Sequence, residues 1–308
     1  MTIINLDVTL RDGGYRNNFG FSLEYVIRHA QASVAAGFDW VEIAYRGGSV
    51  RPIDPLGLTG RGDDDLIAAV AEAVGAEHVA MILHPKNITE GDLPAMYDAG
   101  ARLVRVCVSP GQIDAAVATV EQARSLGFTV GANFTRASAL AGPELVQMAS
   151  TLSAAGADVI YLADSNGSLL PPKVAELIRH CRAAGSPAVG VHAHNNLGLA
   201  LANSIAAVEA GATWADSSVL GMGKGPGNLV AEHWTPFLLR SGRADGLDLG
   251  SALQLARDLE RAVPEATPAL ALPDVALGHF DLPVEARSAI DADDLRLVVQ
   301  SARALCAS

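Results

Sequence analysis

A closed (β/α)8 barrel is the fold this sequence predicts, on three observations. Eight short runs rich in Val, Ile, Leu or Ala alternate with longer alanine-rich segments of helical period. Four of the runs are approached by one repeated phrase: Ala-Gly-Phe-Asp at 36–39, Ala-Gly-Ala-Arg at 99–102, Ala-Gly-Ala-Asp at 155–158 and Ala-Gly-Ala-Thr at 210–213. Glycine there ends a helix, because it takes the left-handed cap without steric cost. The length of 308 residues also suits one barrel of roughly 250 residues plus a tail. The competing fold is a doubly wound open sheet. A dinucleotide-binding version is disfavoured, since no Gly-x-Gly-x-x-Gly follows the first strand.

In order along the chain, strands are predicted at 3–9, 40–45, 79–83, 103–108, 128–133, 157–163, 188–193 and 214–220. The barrel domain is placed at 1–235 and a helical extension packed on it at 236–308. The tail reads as helices at 229–241, 249–262 and 288–306, with an irregular proline-rich excursion at 264–283.

Composition narrows the function classes. With 50% hydrophobic and 18% charged residues, the chain can bury a large core. Its net charge of -12 repels phosphate backbones, so no nucleic-acid partner is expected. Cys107, Cys181 and Cys306 lie far apart, which excludes a Cys-x-x-Cys zinc knuckle and argues against a disulfide framework. A reducing cytoplasm fits. The first residues lack the basic start and apolar run of a signal peptide. No apolar stretch reaches the roughly 18 residues of a membrane span, so no membrane partner is expected.

Catalytic residues of a barrel sit where strands end, and three such places are unusually polar. Thr9-Leu10-Arg11-Asp12-Gly13-Gly14-Tyr15 follows the first strand; taken alone, it is equally a glycine turn with a surface ion pair. Val191-His192-Ala193-His194-Asn195-Asn196 ends the seventh. Residues two apart on a strand share a face, so both imidazoles aim into the barrel mouth unless they are satisfied core histidines. Gly221–Asn228 follows the eighth strand, and its alternating glycines read as an anion cradle, a lid or a plain turn. Asp12, His192 and His194 together offer one carboxylate and two imidazoles. That donor set suits Mn²⁺ or Mg²⁺, with Co²⁺ or Zn²⁺ possible. Other candidates are Glu42 and Arg46 around the second strand, His84 after the third, Asn133 at the end of the fifth, and Asn228 as metal support or helix cap.

Leu10-Arg11-Asp12-Gly13, His192-x-His194-Asn195 and the 221–228 loop resemble signatures of the metallolyase superfamily of HMG-CoA lyase, isopropylmalate synthase and 4-hydroxy-2-oxovalerate aldolase. The resemblance spans about 3–235. The run His194–Ser204 and the segment Ala163-Asp164-Ser165-Asn166-Gly167 are most similar to the aldolase branch. It implies a divalent-metal-dependent enzyme that forms or cleaves a 4-hydroxy-2-oxo acid. The partners are then a 2-oxo acid, bound bidentately to the metal, and an aldehyde or ketone acceptor. Arg11 would stabilise the enolate and Ser165 would hold the carboxylate. By position alone, Asn133 is expected to reach substrate, and Glu42 either to contact it or to form a structural salt bridge. A homo-oligomer, a dimer, is the expected assembly.

The chain departs from that branch at two points. A histidine three positions after the metal-binding aspartate is replaced by Tyr15, and no tyrosine occurs after Tyr161 in a shorter tail. The resemblance therefore does not extend to a channelling dehydrogenase partner. Tyr15 is expected to face substrate, either as a base whose pKa nearby positive charge lowers or as a hydrogen-bond donor. In the second case the base is another group, such as His84. A Claisen condensation with an acyl-CoA, a Schiff-base aldolase using Lys86, Lys173 or Lys224, and a non-catalytic oxo-acid-binding barrel are the alternatives.

Overall fold

The computed structural model describes all residues except 51, 110, 267–269, 291, 293 and 308. Its core is a closed barrel of parallel strands: β1 Ile4–Asp7, β2 Trp40–Arg46, β3 Val79–Leu83, β4 Leu103–Val108, β5 Thr129–Phe134, β6 Val159–Asp164, β7 Ala188–Ala193 and β8 Trp214–Ser217. Closure is direct, with Ile4 paired to Trp214 and Asp7 to Ser217. The glycines of the repeated phrase do what was expected: Gly37, Gly100, Gly156 and Gly211 all have positive φ and turn a helix into the next strand.

β1 and β8 are shorter than the spans 3–9 and 214–220. Short 3-10 turns at Gly13–Arg16 and Val219–Gly221 follow them. Ladder pairing stops where the chain must bend over the mouth, and those bends carry site residues.

Alternate residues of the strands fill the barrel in layers. The bottom is apolar, with Leu6, Val8, Ala80 and Leu103 packed against Trp40 and Trp214. Above it lies a polar layer drawn from the even strands: Glu42, Arg105, Tyr161 and Asp216. Arg105 Nη1 donates to Asp216 Oδ2 at 2.5 Å, its Nε lies 3.3 Å from Glu42 Oε1, and its guanidinium sits 4.3 Å from the Tyr161 ring centre. Glycines on two odd strands make room. A Cβ at Gly190 would fall 2.5 Å from the Tyr161 ring, and one at Gly131 3.0 Å from Arg105 Cγ.

The helices Ala231–Arg240 and Leu249–Ala262 belong to the main body. Trp234, Leu238, Leu255 and Leu259 join its core, and Trp234 Nε1 donates to Asn5 Oδ1. The expected division at 235/236 falls inside the first of these helices. The separate small core lies later, built from Ala276, Leu277, Ile290, Val298 and Ala302. The stretch 264–283 is not wholly irregular: it holds the helix Leu272–His279, with proline in its first turn, where a missing N–H costs nothing. The helix expected at 288–306 is divided into Arg287–Ile290 and Leu295–Cys306. Asp294 restarts it by accepting from Arg296 N; residues 291 and 293 of that span lie outside the described ones.

Candidate metal centre and active site

The chain after β1 turns back at once, Asp12 N donating to Val8 O. Gly14 is required by close packing, since a Cβ there would sit 2.2 Å from the Phe19 ring. This turn brings Asp12 to the mouth opposite the end of β7. The ligand atoms of Asp12, His192 and His194 lie within 4.8 Å of one another, and all three residues are buried. They are the one such grouping found among the described residues.

Each ligand is oriented from behind. His192 Nδ1 lies 2.9 Å from Asp216 Oδ2, placed to donate its N–H to the carboxylate oxygen. Its Nε2 is thereby left as the free donor atom for a cation. Asp12 Oδ1 accepts from Arg11 Nη1 at 2.5 Å, and Oδ2 from Asn228 Nδ2 at 2.9 Å and Lys224 N at 3.1 Å. Burial alone would raise the Asp12 pKa, but Arg11 and the two histidines hold it well below the usual carboxylate range. Burial pushes His194 down to about 4 against the opposing charge of Asp12, so the imidazole is neutral and able to ligate.

Arg11 is the other fixed point. Its Nε is bound to Glu42 Oε2 at 2.5 Å, while Nη2 is buried without a hydrogen-bond partner. The side chain borders a cavity of 470 Å³ that opens over the three ligands.

A family model for HMGL-like proteins matches residues 2–259. The chain belongs to the HMGL-like family. It is 32% identical over 278 residues to a 4-hydroxy-2-oxovalerate aldolase of Brevibacillus brevis, covering 90% of this chain and 82% of the relative. It is 34% identical to another of that name from Carboxydothermus hydrogenoformans, over 82% of this chain and 76% of the relative. Its fold superposes, with a TM-score of 0.84 at 24% identity, on the N-terminal domain of a protein described as a candidate aldolase from Bacteroides vulgatus, covering 96% and 99% of the two chains. This HMGL-like chain is thus an aldolase-type enzyme of a divalent-metal-dependent family. No described helix is long and apolar enough to cross a membrane.

In this HMGL-like site the sequence candidates separate. Arg11, Asp12, Tyr15, His84, Asn133, Ser165, His192 and His194 all line the cavity. Glu42 does not. It is fully buried beneath Arg11 and Arg105, so it holds the arginines and cannot reach substrate. Arg46 also points away, to Asp64 and Asp92. A register shift between Glu42 and Ala44 explains this, because one extra residue sends Tyr45 into the mouth in place of Arg46.

The glycine loop is not an open anion cradle. Gly227 N and Asn228 N are spent inside the loop, and Lys224 N on Asp12. Gly223 leaves space for Asn228, whose Nδ2 would lie 2.4 Å from a Cβ there. Asn228 supports Asp12 and caps no helix. Of the three lysines, Lys224 alone lines the cavity among the described residues, with Nζ bound to Glu285.

Tyr15 contacts Ser49 Oγ and lies 3.3 Å from the Tyr45 hydroxyl. Its pKa is not lowered. Burial, then Tyr45 and Asp12, hold the phenol well above its ordinary value; the charge of Arg11 is already met by Glu42 and Asp12. Burial likewise pushes His84 down to about 4.

Sequence reading missed Arg105, Asp216, Tyr45 and Arg136. Arg105 and Asp216 carried a signal, since a charge inside an apolar strand of a barrel has to be paired.

Proposed function

We propose that the enzyme forms or cleaves a 4-hydroxy-2-oxo acid, joining a pyruvate-type 2-oxo acid to an aldehyde or ketone. The observation that carries this reading is Arg11: a guanidinium fixed by Glu42 and Asp12, with Nη2 unpartnered at a cavity beside three convergent ligands. One carboxylate and two neutral-capable imidazoles fit Mn²⁺ or Mg²⁺, Mn²⁺ preferred for its tolerance of nitrogen. When bound, that ion supplies Lewis-acid polarisation of the 2-oxo group.

The chain's own residues do the rest. In the cleavage direction the 4-hydroxyl loses its proton, the C3–C4 bond breaks and the electron pair moves toward the 2-oxo oxygen. Arg11 Nη2 is the donor offered to that developing negative charge. Ser165 Oγ accepts from Arg136 N, which leaves its O–H to donate to the substrate carboxylate. Tyr15, kept protonated by burial, donates to the 4-hydroxyl oxygen. His84 lines the same wall, stacked 6.0 Å from Tyr45; neutral but weakly basic, it takes the 4-hydroxyl proton as the C3–C4 bond breaks and gives it back to C3 of the enolate, so that no net proton is left behind.

Metal-dependent exchange of the methyl protons of pyruvate tests the reading without knowledge of the acceptor. The parent enzyme loaded with Mn²⁺ or Mg²⁺ is expected to exchange. Arg11→Lys is expected to keep its metal and lose about 10²–10³-fold in exchange rate, as for removal of one oxyanion donor. Absence of exchange in the metal-loaded parent overturns the reading; full exchange in Arg11→Lys makes the arginine structural.

A further inference from the structure

Three fixed cations border the cavity among the described residues: Arg11, Lys224 and Arg136. Two are already neutralised, Arg11 by Glu42 and Asp12 and Lys224 by Glu285. Arg136 is not. Its side chain, just beyond β5, has no ion-pair or hydrogen-bond partner among the described residues, although its backbone N–H donates to Ser165 Oγ at 3.0 Å.

Its backbone is also held in an unfavourable state. Arg136 has φ 55° and ψ 49°, a left-handed conformation that is unfavourable for a residue with a Cβ. Such residues persist only where their surroundings over-determine them, and they cluster at ligand sites. Here the bond to Ser165 pins one side. On the other, the turn Ala137–Ala139 is tied down by Ser138 Oγ donating to Asp281 at 2.8 Å. A strained arginine, anchored through its backbone but not its charge, is thus presented at the cavity rim.

We propose that Arg136, with Ser165, forms an anion-binding subsite that takes a carboxylate or phosphate of the substrate. The proposal deepens the function above by adding a charge requirement. A guanidinium answers planar carboxylates and phosphates with paired N–H donors, and Ser165 adds an O–H from the neighbouring loop. The anion is either the carboxylate of the 2-oxo acid, which Arg136 then shares with Ser165, or a second acidic group on the acceptor half, which Arg136 then meets while Ser165 stays on the head group. The cavity volume of 470 Å³ lies in the range that accepts ligands larger than pyruvate.

Calorimetric binding to the Mn²⁺-loaded protein separates the two sources without turnover. The probes are 2-oxoglutarate and 2-oxovalerate, which share a head group and chain length and differ in one terminal carboxylate. If Arg136 reads the acceptor end, the parent protein binds 2-oxoglutarate at least about tenfold more tightly, and Arg136→Gln abolishes that difference. If it reads the head group, Arg136→Gln weakens both probes by the same factor. Unchanged affinity for both probes in Arg136→Gln overturns the proposal. Arg136→Lys checks the fork geometry: it is expected to recover only part of the loss. Pyruvate exchange in the parent is measured alongside. Exchange without any Arg136 effect sinks the subsite alone, whereas an Arg136 effect without exchange sinks the aldolase reading alone.

Discussion

At the scale of single residues, Tyr15 distinguishes this enzyme most. Its surroundings decide what it can do. A buried phenol beside Tyr45, Ser49 and a carboxylate is stabilised in its neutral form, so it donates a hydrogen bond and takes up no proton near neutral pH. The sign gives a test. A phenol raised from 10 carries its proton throughout pH 6–9, so its removal cannot alter the shape of a pH–rate profile in that range. Tyr15→Phe is expected to lower turnover about 10–10²-fold by a constant factor across pH 6–9, with metal affinity unchanged. An alkaline limb that vanishes in the variant would restore the role of base.

At the scale of elements, the site depends on buried strand residues that contribute nothing to its surface. β2, β4 and β8 carry Glu42, Arg105 and Asp216, which connect Arg11 to His192 through a continuous buried chain of charges. Arg105 bridges the two carboxylates, so each end of the site is oriented by the same guanidinium. Partners of this kind behind metal ligands are worth roughly 10–100-fold in metal affinity. Asp216→Asn, close in shape but uncharged, is expected to weaken Mn²⁺ binding by about that factor, measured by electron paramagnetic resonance of the free ion. Unchanged affinity would mean that the His192 tautomer is set elsewhere. The layer also explains two glycines. Gly131 and Gly190 sit on strands where side chains would strike Arg105 or Tyr161, an interior requirement rather than a turn.

For the whole molecule, the tail completes the mouth of the barrel. Asp281 accepts from Ser138 Oγ, Asn166 Nδ2 and Ser168 Oγ, and Pro283 and Glu285 line the cavity. Glu285 reaches Lys224, whose own N–H holds Asp12. The tail core is separate from the barrel core, so these polar contacts tie the two together. Asp281→Ala removes three of them at once. It is expected to raise amide hydrogen exchange across 272–306 while leaving the barrel strands protected. Loss of protection in both together would show that the tail and barrel unfold as one unit.

Much of this was legible in the chain itself. The barrel followed from the alternation of runs and from the four Ala-Gly phrases, because strand and helix periods and the glycine cap are local properties. Arg11, Asp12, His192 and His194 were legible for the same reason: two residues apart on a strand means one face, and a polar residue past an apolar strand means the mouth. What the sequence could not determine is what depends on contacts across the barrel. The bulge after Glu42 exchanges Tyr45 for Arg46 through a one-residue shift in pairing. The high pKa of Tyr15 comes from burial among groups 30 or more residues away in sequence. The polar layer joins residues as far apart as Arg105 and Asp216, separated by 111 positions. Only closure of the sheet brings them within bonding distance, and only the returning tail decides which cation of the mouth, among the described residues, is left without an anion.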